Sequence, residues 1–197
     1  MPASLPPRPT ALAHLLLREV IRDGELVIDA TAGNGHDTLF LAERVGPAGR
    51  VLAFDVQAVA IAAARERVAA QGWQDRVAFQ QKSHALLEDH AAAGSVAVVM
   101  FNLGYLPGDS HGVMTETATT LKGLAGAARV LKPGGVLAVV CYPGHAGGDT
   151  EAVAAEEWFA AQVAEGWRLA KYGVLATRRP APFLLLGAKP GLACASS

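Results

Sequence analysis

Two acids and two glycines raise the first chemical question. In VIDATAGNGHDTLFLA, residues 27–42, Asp29 closes an apolar run, and Gly33 and Gly35 precede a helix-like stretch. Glycine lets a backbone bend sharply and approach a ligand closely. A dinucleotide fingerprint would place a third glycine where Thr38 stands, and the Gly-Lys-Ser/Thr of a nucleotide-phosphate loop is absent. Asp55 ends a second apolar run, 22 residues after Gly33. A carboxylate there can accept hydrogen bonds from both hydroxyls of an unphosphorylated ribose. NAD and S-adenosyl-L-methionine both carry such a ribose. Asp29 separates them, because a negative charge at the lip of the turn repels a pyrophosphate and attracts a sulfonium and an ammonium. The expected ligand is S-adenosyl-L-methionine, and the other reading of Asp29 is a helix-capping acid. Ser83 and His84, past a third apolar run, would lie beside the adenine or serve as ordinary loop residues.

The reactive end follows the fourth apolar run, at FNLGYLPGD, residues 101–109. It resembles the Asp/Asn-Pro-Pro-Tyr motif of amino-methyltransferases, with Leu103 and Gly104 in place of the two prolines. The Asn102 side-chain oxygen and a following carbonyl, such as that of Leu103, can accept two N–H bonds from an amine. The nitrogen lone pair is then left facing a methyl group. Tyr105 can stack on a base or cover a cation-like transition state. The competing reading is a β-turn that uses Asn, Gly and Pro for backbone reasons. In CYPGHAGGDTE, residues 141–151, His145 is flanked by glycines and is expected on an exposed loop, orienting the substrate, taking a proton, or doing neither. His111 is a weaker candidate. No Ser-His-Asp order and no metal-ligand spacing is found. Methyl transfer needs little beyond in-line positioning and exclusion of water, although an amine nucleophile must also be neutral.

These groups need a scaffold that brings strand ends together. Apolar runs at 25–30, 50–55, 76–81, 95–102 and 136–142 read as strands buried on both faces. Helical spacing occupies 10–21, with Thr10 as N-cap, then 37–45, 57–72, 115–131 and 150–166, with a short helix near 85–92. The alternation predicts an α/β fold with a doubly wound, mainly parallel sheet and helices on both faces. Residues 167–177 and 181–189 would be two closing strands, joined by a link of about four residues that allows only a hairpin. The last strand of seven is therefore expected to be antiparallel. That is the Rossmann-like class I methyltransferase layout rather than a paired dinucleotide-binding fold.

The 197 residues suit one domain, with 1–9 expected as a flexible lead. Hydrophobic residues make up 51%, enough for a sizeable core, and the net charge of −1 argues against a wholly electrostatic nucleic-acid binder. After Glu165 there is no acid, while Arg168, Lys171, Arg178, Arg179 and Lys189 all occur. That is a solvated edge or a polyanion-facing surface. Two cysteines, Cys141 and Cys194, make no disulfide framework and fit a reducing cytoplasmic compartment. The Pro-rich start lacks an apolar leader, and no run is long enough for a membrane span.

Together, DATAGNGHDTLFLA, FDVQ, KSHALL, FNLGYLPG, YPGHAGG and RRPAPF resemble the putative rRNA methylase family of small class I methyltransferases, over roughly residues 10–189. The resemblance implies action on tRNA, with methylation of the amine of 5-aminomethyl-2-thiouridine at the wobble position. It implies a cofactor site of Asn34, Asp37, Asp55, Gln57, Ser83 and His84, alongside Asp29, Thr31, Gly33, Gly35, Val56 and Asn102. Asn102, Tyr105 and His145 are the expected catalytic set. Leu103, Gly104, Arg178 and Arg179 are the expected substrate contacts, the arginines lying under the anticodon stem-loop of tRNA. A homodimer is the expected way for so small an enzyme to hold its RNA. The loop after the fifth strand departs from the family's Tyr-His-Gly-His at Pro143, and Ala32 replaces a frequent methionine. A methyltransferase of rRNA, of a small-molecule amine or of a protein amine stays open, as does a non-catalytic cofactor-binding partner subunit.

Overall fold

The computed structural model describes residues 6–104, 117–144, 147–175 and 177–191. Strands β1 (Leu26–Asp29), β2 (Arg50–Phe54), β3 (Val77–Gln80), β4 (Val96–Leu103), β5 (Leu131–Cys141), β6 (Arg168–Gly173) and β7 (Phe183–Ala188) form one sheet. Its order is β3-β2-β1-β4-β5-β7-β6. The first five strands are mutually parallel, and β7 runs antiparallel to both β5 and β6. The helices are α1 (Pro9–Arg18), α2 (His36–Val45), α3 (Ala58–Ala69), α4 (Thr117–Val130) and α5 (Gly148–Ala161).

The unbroken apolar runs of β1, β2, β4 and β5 are explained by burial on both sides; β3 is an edge strand and only partly buried, so the expectation of burial on both faces fails there. Side chains alternate between faces along a strand, and β4 shows the split. Val98 and Met100 join α1 and α2 residues such as Leu17 and Leu41 in one cluster. Val99, Phe101 and Leu103 join Leu124 of α4 and Phe159 of α5 in the other. No helix among the described residues is long and apolar enough to cross a membrane.

Three expectations change in detail. The helix predicted to be capped by Thr10 begins earlier, at Pro9, with Arg8 as its N-cap residue and no side-chain cap. Proline suits the first helical turn because its missing N–H would be unpaired there, and Thr10 is released for a tertiary contact with Tyr142. Pro9 thus belongs to α1 rather than to a flexible lead. The final strands are shorter than predicted, so residues 174–182 form the link between β6 and β7. Pro180 and Pro182 cannot donate ladder hydrogen bonds, which limits the pairing there. The short helix near 85–92 is a 3-10 turn over His84–Asp89, capped by the Ser83 hydroxyl.

The glycine turn after β1 is set by close packing. Gly35, the N-cap of α2, has φ +78°, and a Cβ there would lie 2.6 Å from the Ala64 Cα of α3. Left-handed backbone and overpacking each cost a side chain about 1–3 kcal/mol. Gly35→Ala is expected to lower unfolding free energy by about 2–4 kcal/mol in urea titrations; a wild-type midpoint and slope would contradict the close approach of α2 to α3.

Candidate active site

The chain runs outward from β1 to β2 and β3, then returns to place β4 on the other side of β1. At such a reversal the carboxyl ends of neighbouring strands open into a crevice. The turn that fills it is tied to both sides. Ala30 N–H donates to Met100 O of β4, and Ala32 N–H donates to Phe54 O of β2, both at 2.8 Å.

Asp29 supports this turn from beneath. Its side chain is wholly buried. One oxygen accepts from Thr31 N–H at 3.1 Å and the other from the Thr38 hydroxyl at 2.5 Å. The structure therefore corrects the expectation of a charge at the ligand-facing lip, and Asp29 is not a helix cap either: Gly35 is the N-cap of α2, and Asp29 holds the turn through Thr31 and Thr38. Burial, and then the neighbouring Asp37 charge, push its carboxyl up to about 7.

Asp55, at the end of β2, is half-buried and fixed. Its Oδ2 accepts from Gly33 N–H and its Oδ1 from Gln57 N–H, each at 2.9 Å. Each oxygen retains a further lone pair, the arrangement two vicinal hydroxyls require. Val56 beside it is 47% exposed, an apolar surface available to a flat ring. The Asn34 carbonyl accepts from Arg67 Nε of α3 at 2.7 Å, which braces the turn from its far side.

The third strand contributes less surface than expected. The Ser83 hydroxyl accepts from Ala85 N–H at 3.2 Å. The His84 ring is 7% exposed, edge-on to Phe101, and bonded to the Ala30 backbone. Burial lowers its pKa to about 4, so it is neutral. A Cβ on Gly123 of α4 would stand 2.7 Å from His84 Cδ2, so the ring is a strut between the turn and α4 rather than a surface for adenine.

The centre of the crevice is a bridge across three elements. Asp37, in the first turn of α2, is 5% exposed. Its Oδ1 accepts from His14 Nε2 of α1 at 2.7 Å, and its Oδ2 accepts from Asn102 Nδ2 at 3.0 Å. A carboxylate is favoured in the first turn of a helix, where unpaired N–H groups give a positive potential. The His14 ring is stacked on Phe40 at 4.0 Å. Asn102 is held a second time by its backbone N–H, which donates to the Thr31 hydroxyl at 2.7 Å. With its amide nitrogen committed to Asp37, Asn102 leaves Oδ1 as its free acceptor among the described residues.

His14 and Tyr142 were not singled out from the sequence. Tyr142 lies just past β5; its hydroxyl is 3.1 Å from the Thr10 hydroxyl, and its ring is 3.4 Å from where a Gly104 Cβ would be. The available signal was that Thr10 and His14 are one helical turn apart and share a face of an otherwise apolar helix. Leu103 is buried, which confines any contact it makes with a substrate to its backbone. Arg178 and Arg179 are exposed on the link between β6 and β7. Tyr105, His111 and His145 lie outside the described residues. Cys141 is no nucleophile: burial, then the charges of Glu151 and Glu156, push its thiol up to about 12.

Residues 51–187 match a family model described as "Putative rRNA methylase". A relative from Arabidopsis thaliana, named tRNA (mnm(5)s(2)U34)-methyltransferase, chloroplastic, is 35% identical over 185 residues, 89% of this chain and 67% of the relative. A crystal structure of a putative rRNA-methylase from Clostridium thermocellum superposes with a TM-score of 0.88 at 32% identity, covering 92% of this chain and 97% of that one. A putative methyltransferase from Streptococcus mutans, solved in complex with SAH, gives 0.82 at 33% identity, covering 92% and 98%.

The buried Asp29 makes stability fall as pH rises. Between its ordinary value of 3.8 and about 7, the folded protein keeps a proton that the unfolded chain has released. Below that window both states are protonated, and above it the cost of the buried charge is fully present. In urea unfolding between pH 5 and 7.5, Asp29→Asn should gain on wild type as pH rises. Parallel stability curves would show that this carboxyl does not titrate there.

Proposed function

This chain belongs to the putative rRNA methylase family of class I S-adenosylmethionine-dependent methyltransferases, and on that premise we propose that it methylates the exocyclic aminomethyl nitrogen of a wobble uridine in tRNA, converting 5-aminomethyl-2-thiouridine to 5-methylaminomethyl-2-thiouridine. The observation that carries this reading is the doubly anchored Asn102 at the tip of β4 beside the ligand crevice, whose Oδ1 has no partner among the described residues. The name of the Arabidopsis relative supports the choice of nucleoside, and the acid-free, arginine-bearing final segment suits a polyanion.

The cofactor fits the residues present. Asp55 offers two fixed oxygens with spare lone pairs to the ribose hydroxyls, and Val56 offers an apolar face to the adenine. The Gly33–Gly35 turn, where a Cβ on Gly35 would strike α3, lets backbone approach the donor closely. When bound, S-adenosylmethionine supplies an electrophilic methyl carbon and a thioether leaving group.

The chain's own part is orientation. In this reading Asn102 Oδ1 accepts one N–H of the neutral amine, and a following backbone carbonyl, such as that of Leu103, accepts a second. The nitrogen lone pair is then turned toward the methyl group. Asp37 prevents the Asn102 amide from flipping, because Nδ2 can donate to a carboxylate and Oδ1 cannot. His14 in turn fixes Asp37. Arg178 and Arg179 offer cations to the RNA backbone.

Asn102→Ala should lower kcat by about 10²–10³-fold, as loss of one transition-state partner does elsewhere. Its S-adenosylmethionine affinity, measured by calorimetry, should stay near wild type; an equal fall in affinity would make Asn102 a cofactor residue. Asp55→Ala should instead weaken cofactor binding by about 10- to 100-fold, the loss of hydrogen bonds to a charged group. Nucleoside mass spectrometry on a deletion strain tests the substrate. Accumulated 5-aminomethyl-2-thiouridine is expected, and an unchanged profile would reject the assignment.

A further inference from the structure

Past Asn102, on the same edge of the sheet, lies a cavity of about 670 Å³ to which the reaction above gives no occupant. Its walls come from segments far apart in sequence: Pro6–Arg8 before α1 with Pro9–Ala11 in its first turn, Tyr142 after β5, and Val174, Ala181 and Pro182 from the two ends of the β6–β7 link. His14 also lines it. The Asp55 carboxylate and the glycine turn do not, so this space is separate from the cofactor crevice.

We propose that this cavity receives the pyrimidine nucleotide that carries the reacting amine, as a subsite of the methyl-transfer site. The inference rests on the methyltransferase reading above. Its first support is connection. His14 in the cavity wall is bonded to Asp37, whose other oxygen holds Asn102. Tyr142 in the same wall packs beside Gly104, two residues beyond Asn102. A ring seated here needs only a short side arm to bring its amine to the tip of β4.

The lining supplies the second support. Four prolines, two alanines, Val174 and Tyr142 present apolar surface. The bond to Thr10 holds the Tyr142 ring in one orientation as a stacking face. A base flipped out of an RNA loop is bound by such stacking together with a few polar edges, here those of Thr10 and His14. The volume falls within the range of small-ligand pockets and exceeds that of a bare ring, so a nucleotide fits. Charge is the third support. Arg8 lines the cavity, and Arg178 and Arg179 lie on the link that carries Val174 and Ala181. An apolar hole rimmed by cations matches a base flanked by phosphates, and matches a neutral peptide segment poorly.

The test fills the hole without touching the residues that hold the cofactor or Asn102. Ala11→Trp and Ala181→Trp are assayed with an anticodon stem-loop RNA bearing 5-aminomethyl-2-thiouridine. Both are expected to raise the KM for RNA at least tenfold while S-adenosylmethionine affinity and the thermal midpoint stay at wild-type values. If wild type methylates the RNA and both variants match it, the subsite is rejected and the methyl-transfer reading survives. If wild type methylates no RNA, both fall. A change in oligomeric state by light scattering, with an unchanged KM, would assign the cavity to a second copy of this chain and overturn the proposal. A measurement without substitution accompanies these. The same hairpin carrying 5-iodouridine at the target position is irradiated with wild-type protein. The crosslink is expected at Tyr142 or within 174–182; crosslinks only elsewhere overturn the subsite.

Discussion

One buried carboxylate holds the centre of this molecule together. Asp37 accepts from His14 on one oxygen and from Asn102 on the other, and so joins the first helix, the second helix and the fourth strand. A carboxylate suits the position because it can only accept, so each neighbour is required to present a donor. For His14 that fixes which ring nitrogen carries hydrogen toward Asp37. For Asn102 it decides which end of the amide faces the crevice. The orientation of the one side chain assigned to the amine is therefore imposed from behind, before any substrate arrives. Pre-set acceptors of this kind require no rearrangement at the moment of reaction.

The same region concentrates negative charge. Asp37 and Asp55 both disfavour ionisation of Asp29. Like charges gathered in one turn raise the energy of the fold. The turn carries that cost through backbone N–H groups and hydroxyls: Thr31, Gly33, Thr38 and Gln57 each donate to one of the carboxylates. A cationic methyl donor would relieve what those donors only offset. The attraction for a cation therefore belongs to the whole turn, and Asp55 is the member with exposed surface through which a ligand can feel it.

Most of the scaffold was legible because its signals are local. Apolar runs covered on both faces identify β1, β2, β4 and β5 whatever they pack against, and a tight turn between strand and helix selects glycines at 33 and 35. Asn102 was legible for the same reason, as a polar residue at the end of a strand with its turn residues beside it. His14 was not. Its partner is 23 residues away on another helix, and a lone histidine among leucines gives no sign of the carboxylate it meets. Tyr142 and Thr10 are separated by 132 residues, beyond any local pattern. Asp29 shows the opposite error. Its type and place suggested a surface charge, and only the packed turn reveals that Thr31 and Thr38 take up both oxygens.

The unread residues are not scattered. His14 and Thr10 stand on α1, and Tyr142 and the β6–β7 link follow β5, whereas the glycine turn and Asp55 follow β1 and β2. The topology separates these groups. The turn after β1 and the end of β2 lie on one side of the strand-order reversal, while β5, β7 and β6 lie on the other. Helix α1 contacts β5 and β7 and reaches back to α2 through His14, which bonds Asp37 and stacks on Phe40. The cofactor half is thus a self-contained run of about thirty residues that any class I methyltransferase could carry. The other half brings α1 together with β5 and β7. The cavity beside Tyr142 is therefore built where the segment before α1 meets the β6–β7 link, away from the turn that carries Asp55. Asp37 is the joint between the halves, its charge in the donor turn and its two hydrogen bonds in the acceptor site.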